Sequence, residues 1–306
     1  MFRQALLAGA ASLLALAGPA AAQQTLTVAT VNNGDMIRMQ GLTQEFTAQH
    51  PDIQVNWVTL EENVLRQRVT TDIATKGGQF DVMTIGTYEV PIWAKNQWLL
   101  PLNNLGADYD VDDILPPIRE ALSQDGTLYA APFYAESAMT LYRKDLFEAA
   151  GLTMPEAPTW QFIAEAAEKI KASNPDVYGI CLRGKPGWGE NMAFLGSMAR
   201  AFGADYFDAN WQPQFESEGW KTAVAMYVDL MTKYGPPGAA SNGFNENLSL
   251  FNQGRCAMWM DATVAASFVT NPKESQVADK VGFAPFPCGI ENCPNNGANW
   301  LWAWSL

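Results

Sequence analysis

The first hundred residues switch repeatedly between two hydrophobic periodicities. Three runs rich in β-branched and apolar residues predict strands, at Gln24–Val31, Ile53–Leu60 and 80–85. Three segments with apolar residues at helical spacing predict helices, at 36–49, 61–75 and 89–96. Because strands and helices alternate, we expect a mostly parallel sheet with helices on both faces.

The pattern begins again in the middle of the chain. Further extended segments are predicted at 130–134, 139–142, 178–182, 256–260, 281–286 and 300–306. Helices are predicted at 144–150, 160–172, 220–233 and 245–252, and a further helix is predicted to end near residue 202. Thr159 is the predicted N-cap of the helix at 160–172. No internal repeat and no low-complexity linker divides the sequence. We therefore expect two α/β units joined by crossing strands.

The N-terminal residues have the organisation of a secretory signal peptide. Arg3 is followed by an apolar stretch at 5–17 and by the small residues Ala20, Ala21 and Ala22. The stretch is shorter than the ~20 residues that span a bilayer. No lipobox cysteine follows it. We expect cleavage after residue 22 and export to the periplasm without a lipid anchor.

Composition narrows the possible partners. The chain is 48% hydrophobic and 17% charged, which is typical of a folded protein, and its net charge is −13. This charge argues against a nucleic-acid partner and suits a soluble monomer. The 11 tryptophans could be core residues or rings that bind carbohydrate.

Four cysteines in an exported chain predict two disulfides. Cys288 and Cys293 bound a short loop and are expected to pair. Cys181 and Cys256 could pair with each other or remain buried thiols. A zinc site is disfavoured because the only histidine, His50, is remote in sequence from the cysteines. We expect no metal.

Several short segments, taken in order, resemble those of a known family. They are HPDIQV at 50–55, FDVM at 80–83, LYRKDLF at 141–147, FNQGRCAM at 251–258 and VGFAP at 281–285. The set resembles the family 1 extracellular solute-binding proteins, the maltose-binding-like group. The segments 32–41, 183–191, 259–265 and 299–304 resemble its sorbitol/mannitol-binding branch.

The resemblance implies a two-lobed α/β periplasmic-binding-protein (Venus-flytrap) fold of type II. The N-terminal lobe would comprise 23–133 plus 284–306, and an incomplete C-terminal lobe would comprise 134–283. The chain would cross between lobes near Tyr134 and return at 284–287. Members of the family continue beyond the position of Leu306, so we expect a C-terminally truncated chain.

The function implied by the resemblance is that of the substrate-binding component of an ABC importer. The protein would capture a sugar alcohol in the periplasm and deliver it to permease subunits, without a cofactor. A receptor for a mono- or oligosaccharide is an alternative. A secreted carbohydrate-active enzyme is disfavoured because the sequence contains no Gly-x-Ser-x-Gly motif and its one histidine is poorly placed.

A polyol site needs carboxylates and amides, cationic donors and a ring against the C–H face. Polar residues that follow strands are the first candidates, because ligands bind beyond the carboxyl ends of parallel strands. Asn33 and Asp35 follow the first strand, although an N-cap and a turn would explain them equally. Glu136 lies in an apolar segment, where a buried carboxylate needs a partner or a ligand. Asp261 ends the strand 256–260.

The remaining candidates come from a glycine-rich loop, from the last strand and from the resemblance. Arg183 and Lys185 are possible donors, and Trp188 is flanked by glycines. Trp300 and Trp302 share one face of the last strand, where they could also be core. Thr87 and Tyr88 match a family position that lines the cleft. We expect one inter-lobe groove to contain Asn33, Asp35, Tyr88, Glu136, Arg183, Trp188, Asp261 and Trp302.

Overall fold

The computed structural model describes residues 23–187 and 189–290, together with the backbone of 302–305. Within these residues, two sheets have separate hydrophobic cores, which gives an α/β molecule with two lobes. The predicted signal peptide, 1–22, lies outside them. No helix in the described ranges is both long enough and apolar enough to cross a bilayer.

The first sheet is parallel and has the order β2-β1-β3. Its strands are β1 Gln24–Val31, β2 Ile53–Leu60 and β3 Val82–Met83. The helices around it are α1 Gly34–Gly41, α2 Thr43–Gln49, α3 Glu62–Thr75, α4 Glu89–Lys95 and α5 Pro116–Ala121. The apolar side chains of β1 pack with those of α1, α3 and α4, including Met36, Leu65 and Val90. The alternating pattern of the sequence thus predicts this sheet correctly.

Two predicted elements of this lobe differ in extent from the observed ones. The helix expected at 36–49 is divided at Leu42, whose N–H bonds to the carbonyl of Met39 and so tightens the last turn of α1. The strand expected at 80–85 is reduced to β3. The backbone N–H groups of the flanking residues Asp81 and Thr84 still donate to the carbonyls of Thr27 and Ala29 in β1.

A hairpin and a second two-stranded sheet follow. The hairpin consists of β4 Ser123–Gln124 and β5 Thr127–Leu128. Its two turn residues, Asp125 and Gly126, have positive φ angles of 51° and 78°, as a two-residue hairpin loop requires. Strand β6, Pro132–Glu136, then pairs antiparallel with β10, Trp302–Ser305.

The second sheet is antiparallel and has the order β8-β7-β9. Its strands are β7 Ala138–Arg143, β8 Met258–Ala262 and β9 Val281–Pro285. The helices around it are α6 Lys144–Ala149, α7 Trp160–Ser173, α8 Asn191–Ala201, α9 Glu218–Asp229, α10 Phe244–Asn252 and α11 Ala265–Val269. A π-helical turn, Leu230–Tyr234, extends α9. Thr159 caps α7 as predicted, accepting from the N–H of Phe162.

A disulfide joins Cys181 to Cys256, with a Cα–Cα distance of 5.9 Å. The segment 178–182, predicted as a strand, forms only single parallel bridges, from Tyr178 to Cys256 and from Cys181 to Trp259. These bridges bring the two cysteines side by side, and one of the two pairing alternatives is therefore confirmed. The predicted Cys288–Cys293 disulfide lies outside the described residues because its second cysteine does.

Candidate functional site

A pocket opens where the ends of the first sheet face the second lobe. Its empty volume is about 650 Å³, which includes open solvent at the mouth. The first lobe and β6 contribute Val31, Asn32, Asn33, Glu61, Glu62, Tyr134 and Glu136. The second lobe contributes Arg183, Lys185, Glu190, Phe244, Asn245, Glu246, Ala262, Val264 and Phe268. The pocket therefore lies at the carboxyl ends of β1 and β2, as expected for parallel strands.

Arg183 is the central cation of the pocket wall. It is buried, and its Nε and Nη2 donate to the two oxygens of Asp261 at 2.9 and 2.6 Å. Nη1 donates to the carbonyl of Gly189 at 2.8 Å. Burial alone would lower the pKa of Arg183, but the charge of Asp261 and its hydrogen bonds raise it above the usual value. The guanidinium is thus permanently charged and rigidly oriented.

Asp261 also accepts hydrogen bonds from residues of its own strand, β8. Its carboxylate also accepts from the indole N–H of Trp259 at 3.0 Å and from the backbone N–H of Ala262 at 2.7 Å. The side chain is 1% exposed. With all these donors in place, Asp261 fixes the position of Arg183.

Glu136 is a buried carboxyl group without a strong partner. It ends β6 and is 7% exposed, and its Oε1 has no hydrogen-bond partner within the described residues. Burial raises the pKa of Glu136 to about 8, the charge of Arg183 opposes this, and Asp261 adds to it. At neutral pH this group therefore holds a proton for much of the time, and it can both donate and accept a hydrogen bond.

Glu190 is a second buried carboxyl group on the pocket wall. Its Oε2 lies 3.5 Å from Nη1 of Arg183, and its Oε1 lies 4.0 Å from Nζ of Lys185. Burial raises the pKa of Glu190, the charge of Arg183 opposes this, and Glu62 adds to it. Oε2 makes no hydrogen bond to any described residue.

Asn33 links the end of β1 to β6. Its Oδ1 accepts from the N–H of Met36 at 2.9 Å and caps α1, and its Nδ2 donates to the hydroxyl of Tyr134 at 2.9 Å. Burial, followed by the charge of Glu136, raises the pKa of Tyr134. The N-cap and the binding interpretations of Asn33 are therefore compatible, since the same side chain lines the pocket.

Contacts between the lobes surround the pocket. Lys185 and Glu61 form an ion pair of 2.8 Å, and Asn245 donates to the carbonyl of Asn32 at 3.3 Å. On another side, the guanidinium of Arg38 lies 4.4 Å from the centroid of the Phe268 ring. These contacts hold the lobes together over the pocket.

The predicted site residues are distributed unevenly around this pocket. Four of them line it: Asn33, Glu136, Arg183 and Lys185. Asp261 lies behind Arg183, and Asp35 pairs with Arg38 at 2.9 Å. Thr87 and Tyr88 are not among the lining residues, and Tyr88 is 59% exposed beside α4. Trp188 and Trp300 lie outside the described residues. Trp302 is described by its backbone alone, which pairs with Glu136.

Sequence reasoning missed several residues of the lining. The polar ones are Tyr134, Glu61, Glu62, Glu190, Asn245 and Glu246, and the aromatic ones are Phe244 and Phe268. The acidic ones cluster at the beginnings of α3, α8 and α10, where carboxylates are common for helix stability alone. A search for acidic residues at helix starts would have found them, although it would also have selected unrelated surface positions.

Comparison with known proteins assigns the family. The profile of the family described as bacterial extracellular solute-binding protein matches residues 33–304. The chain belongs to this family. The predicted resemblance is confirmed, and with it the two-lobed fold. Among the described residues, no group of three or more histidine, cysteine or acidic side chains is arranged to hold a metal ion.

Individual members are similar over nearly the whole chain. A mannitol-binding protein of Pseudomonas aeruginosa is 58% identical over 97% of this chain and 67% of its own length. A solute-binding protein of Agrobacterium vitis S4, crystallised with D-mannitol, is 65% identical, with a TM-score of 0.88 over 92% of this chain and 67% of its own. A ribitol complex from Agrobacterium radiobacter K84 is 26% identical, with a TM-score of 0.84 over 93% and 71%. The chain thus spans about two thirds of the length of these relatives.

Proposed function

We propose that this protein is the substrate-binding component of an ABC importer and captures a sugar alcohol of the mannitol or sorbitol type in the periplasm. The observation that carries the proposal is the inter-lobe pocket, in which Glu136 and Glu190 present carboxyl oxygens without hydrogen-bond partners in the described structure. Similarity to the mannitol-binding and ribitol-binding relatives narrows the ligand to polyols. Cleavage after residue 22 would release the protein into the periplasm.

The chemistry of a polyol suits this lining. Each hydroxyl group can donate one hydrogen bond and accept others, so a chain of hydroxyls satisfies acceptors and donors in alternation. Glu136 and Glu190 supply the acceptors, Arg183 and Lys185 supply donors, and Asn33 supplies an amide. A buried polar group without a hydrogen-bond partner destabilises the protein. A ligand that supplies the missing hydrogen bond removes this penalty, and this favours binding.

The other predicted residues would contribute either aromatic stacking or indirect contacts with the ligand. Trp188, Trp300 and Trp302 would cover the C–H face of the ligand. Asp261 would act through Arg183, whose guanidinium it orients. Asp35, Thr87 and Tyr88 remain candidates at the rim. The permease subunits of an importer would receive the ligand.

Calorimetric titration of the full chain with mannitol, sorbitol, ribitol and maltose tests the proposal. We expect micromolar binding of at least one hexitol, which corresponds to about −8 kcal/mol, and a higher melting temperature in excess ligand. Binding of maltose alone would favour an oligosaccharide receptor instead. Conversion of a sugar into product would indicate an enzyme. Binding of none of these ligands would contradict the proposal.

A further inference from the structure

Glu190 occupies a place in the pocket that is chemically suited to an anion. It directly precedes α8, an eleven-residue helix whose first two N–H groups, those of Asn191 and Met192, donate to the carbonyls of Lys185 and Gly187. Arg183 and Lys185 lie at 3.5 and 4.0 Å from its two carboxylate oxygens. Two neighbouring cations form an environment that proteins use to hold phosphate or carboxylate groups of ligands. Here a carboxylate of the protein itself fills that environment.

Apart from Glu136, whose raised pKa is described above, the other acidic residues of the lining already have partners. Glu61 binds Lys185, and Glu62 binds Arg66 at 3.1 Å. Glu246 accepts from the N–H of Gly243 at 2.8 Å and so caps α10. Glu190 differs from these three because it is buried, with 6% exposure, and its Oε2 has no hydrogen-bond partner in the described part of the chain. This oxygen therefore retains a hydrogen-bonding capacity that a hydroxyl group of a ligand can satisfy.

The overall charge of the pocket lining is unfavourable to an anionic ligand. The lining carboxyl groups are Glu61, Glu62, Glu136, Glu190 and Glu246, and the lining cations are Arg183 and Lys185. Acidic groups remain in excess even when Glu136 is protonated. Asp261 further neutralises Arg183 from behind. An anionic ligand would enter a site without any unpaired positive charge on its described walls, and like charges at short range repel strongly in a partly desolvated pocket.

We infer that Glu190 is a specificity-determining residue that admits neutral polyols, by accepting one of their hydroxyl groups, and excludes anionic ones such as polyol phosphates and aldonates. This inference rests on the proposed function. Glu190 would attract the neutral ligand and repel its charged analogue. Proteins commonly discriminate between similar ligands by combining attractive and repulsive contacts in this way.

The test compares Glu190→Gln with Glu218→Gln in mildly alkaline buffer. Glutamine keeps the size of each side chain and removes its charge, and Glu218, on α9, is 89% exposed and does not line the pocket. Mannitol, mannitol 1-phosphate and gluconate are titrated by calorimetry into the full-length wild type and both variants. In the wild type we expect mannitol to bind at least roughly 100-fold more tightly than either anion.

Glu190→Gln should weaken mannitol binding and reduce its preference over the anions by roughly 10-fold or more. Glu218→Gln should leave this ratio unchanged, because its charge lies in solvent outside the pocket. An unchanged ratio in Glu190→Gln would overturn the inference, since a merely structural role would weaken all three ligands equally. A wild type that binds gluconate as tightly as mannitol would overturn it without any variant, even if Glu190→Gln failed to fold. A wild type that binds none of the three ligands would instead contradict the proposed function.

Discussion

At the scale of single residues, the pocket contains ionisable groups in two different states. Nε and Nη2 of Arg183 hold both oxygens of Asp261, and breaking such a buried pair by removing one partner is strongly destabilising. Glu136 and Glu190 are equally buried, but each keeps an oxygen without a hydrogen-bond partner among the described residues. The Arg183–Asp261 pair therefore stabilises the pocket wall, whereas Glu136 and Glu190 each retain an acceptor that a ligand can use.

The raised pKa of Glu136 predicts a pH-dependent stability. The folded protein holds this proton up to a pKa of about 8, whereas the ordinary pKa of a glutamate side chain is 4.5, so folding takes up a proton between these two pH values. Stability from this group is complete below the lower value and is lost as pH rises through the upper one. Glu136→Gln should abolish that loss, which is on the order of 1 to a few kcal/mol in the free energy of unfolding.

Urea denaturation of both proteins across this pH window measures the effect. The wild type should become less stable relative to Glu136→Gln as the pH rises. Glu218→Gln, at a side chain that is 89% exposed, is the matched control and should follow the wild type. Parallel stability curves for the wild type and Glu136→Gln would refute the prediction.

The sequence predicted part of the site at this scale. The sequence allowed three residues of the pocket lining to be predicted, namely Glu136, Arg183 and Lys185. A charged residue in an apolar or glycine-rich segment indicates a partner or a ligand. Glu190 and Glu246 were not predicted, since an acidic residue at the start of a helix is fully explained by capping and by the helix dipole. Only the approach of the other lobe gives them a second role.

At the scale of elements, hydrophobic periodicity located the helices and strands well and their internal breaks poorly. Strands β1 and β2 have the predicted bounds, because uninterrupted β-rich runs end in clear turn residues. The division between α1 and α2 was missed, since Leu42 fits the helical pattern on both sides. The strand expected at 178–182 became two single bridges, because strand formation depends on partners that lie far away in sequence.

The disulfide between Cys181 and Cys256 should be a major stabilising link within the second lobe. It closes a loop over a sequence separation of 75 residues. On the chain-entropy model such a loop contributes about 4 kcal/mol. We expect the double variant Cys181→Ala/Cys256→Ala to lose a comparable amount of unfolding free energy in urea denaturation, with some addition from lost packing.

Reduction of the wild type provides the control for this experiment. A thiol reductant should lower the stability of the wild type much more than that of the double variant, since the variant lacks this link. If the double variant were as stable as the wild type, the disulfide would not contribute to the stability of the lobe.

At the scale of the whole molecule, the pocket depends on how closely the two lobes approach. Helix α1 of the first lobe lies against α11 of the second, where Arg38 donates to Ser267 at 3.2 Å. A Cβ atom added at Gly34 would overlap the ring of Phe268, which is 5% exposed and cannot easily move. The absence of a side chain at Gly34 therefore permits the lobes to close.

Gly34→Ala should weaken polyol binding without unfolding either lobe. Overpacking of this kind costs about 1–3 kcal/mol, which corresponds to a roughly 5- to 150-fold loss of affinity. Gly41→Ala at the other end of α1 is the matched control, because a Cβ there has no atom within 4 Å. Calorimetry measures the affinity, and small-angle scattering with ligand measures closure. Equal affinities for the two variants would show that the contact with Phe268 does not limit closure.

The sequence by itself determined the family, the alternation of elements in the first lobe and the type of residue that follows its strands. These features depend on short-range periodicity and on ordered local segments, which are visible in one dimension. The tertiary structure alone decided which carboxylates share a pocket and which cysteines are neighbours. It also placed Asp261 behind Arg183 and brought Gly34 against Phe268. Such contacts join residues up to 234 positions apart, and no local pattern encodes them, because they form only when both lobes are folded and face each other.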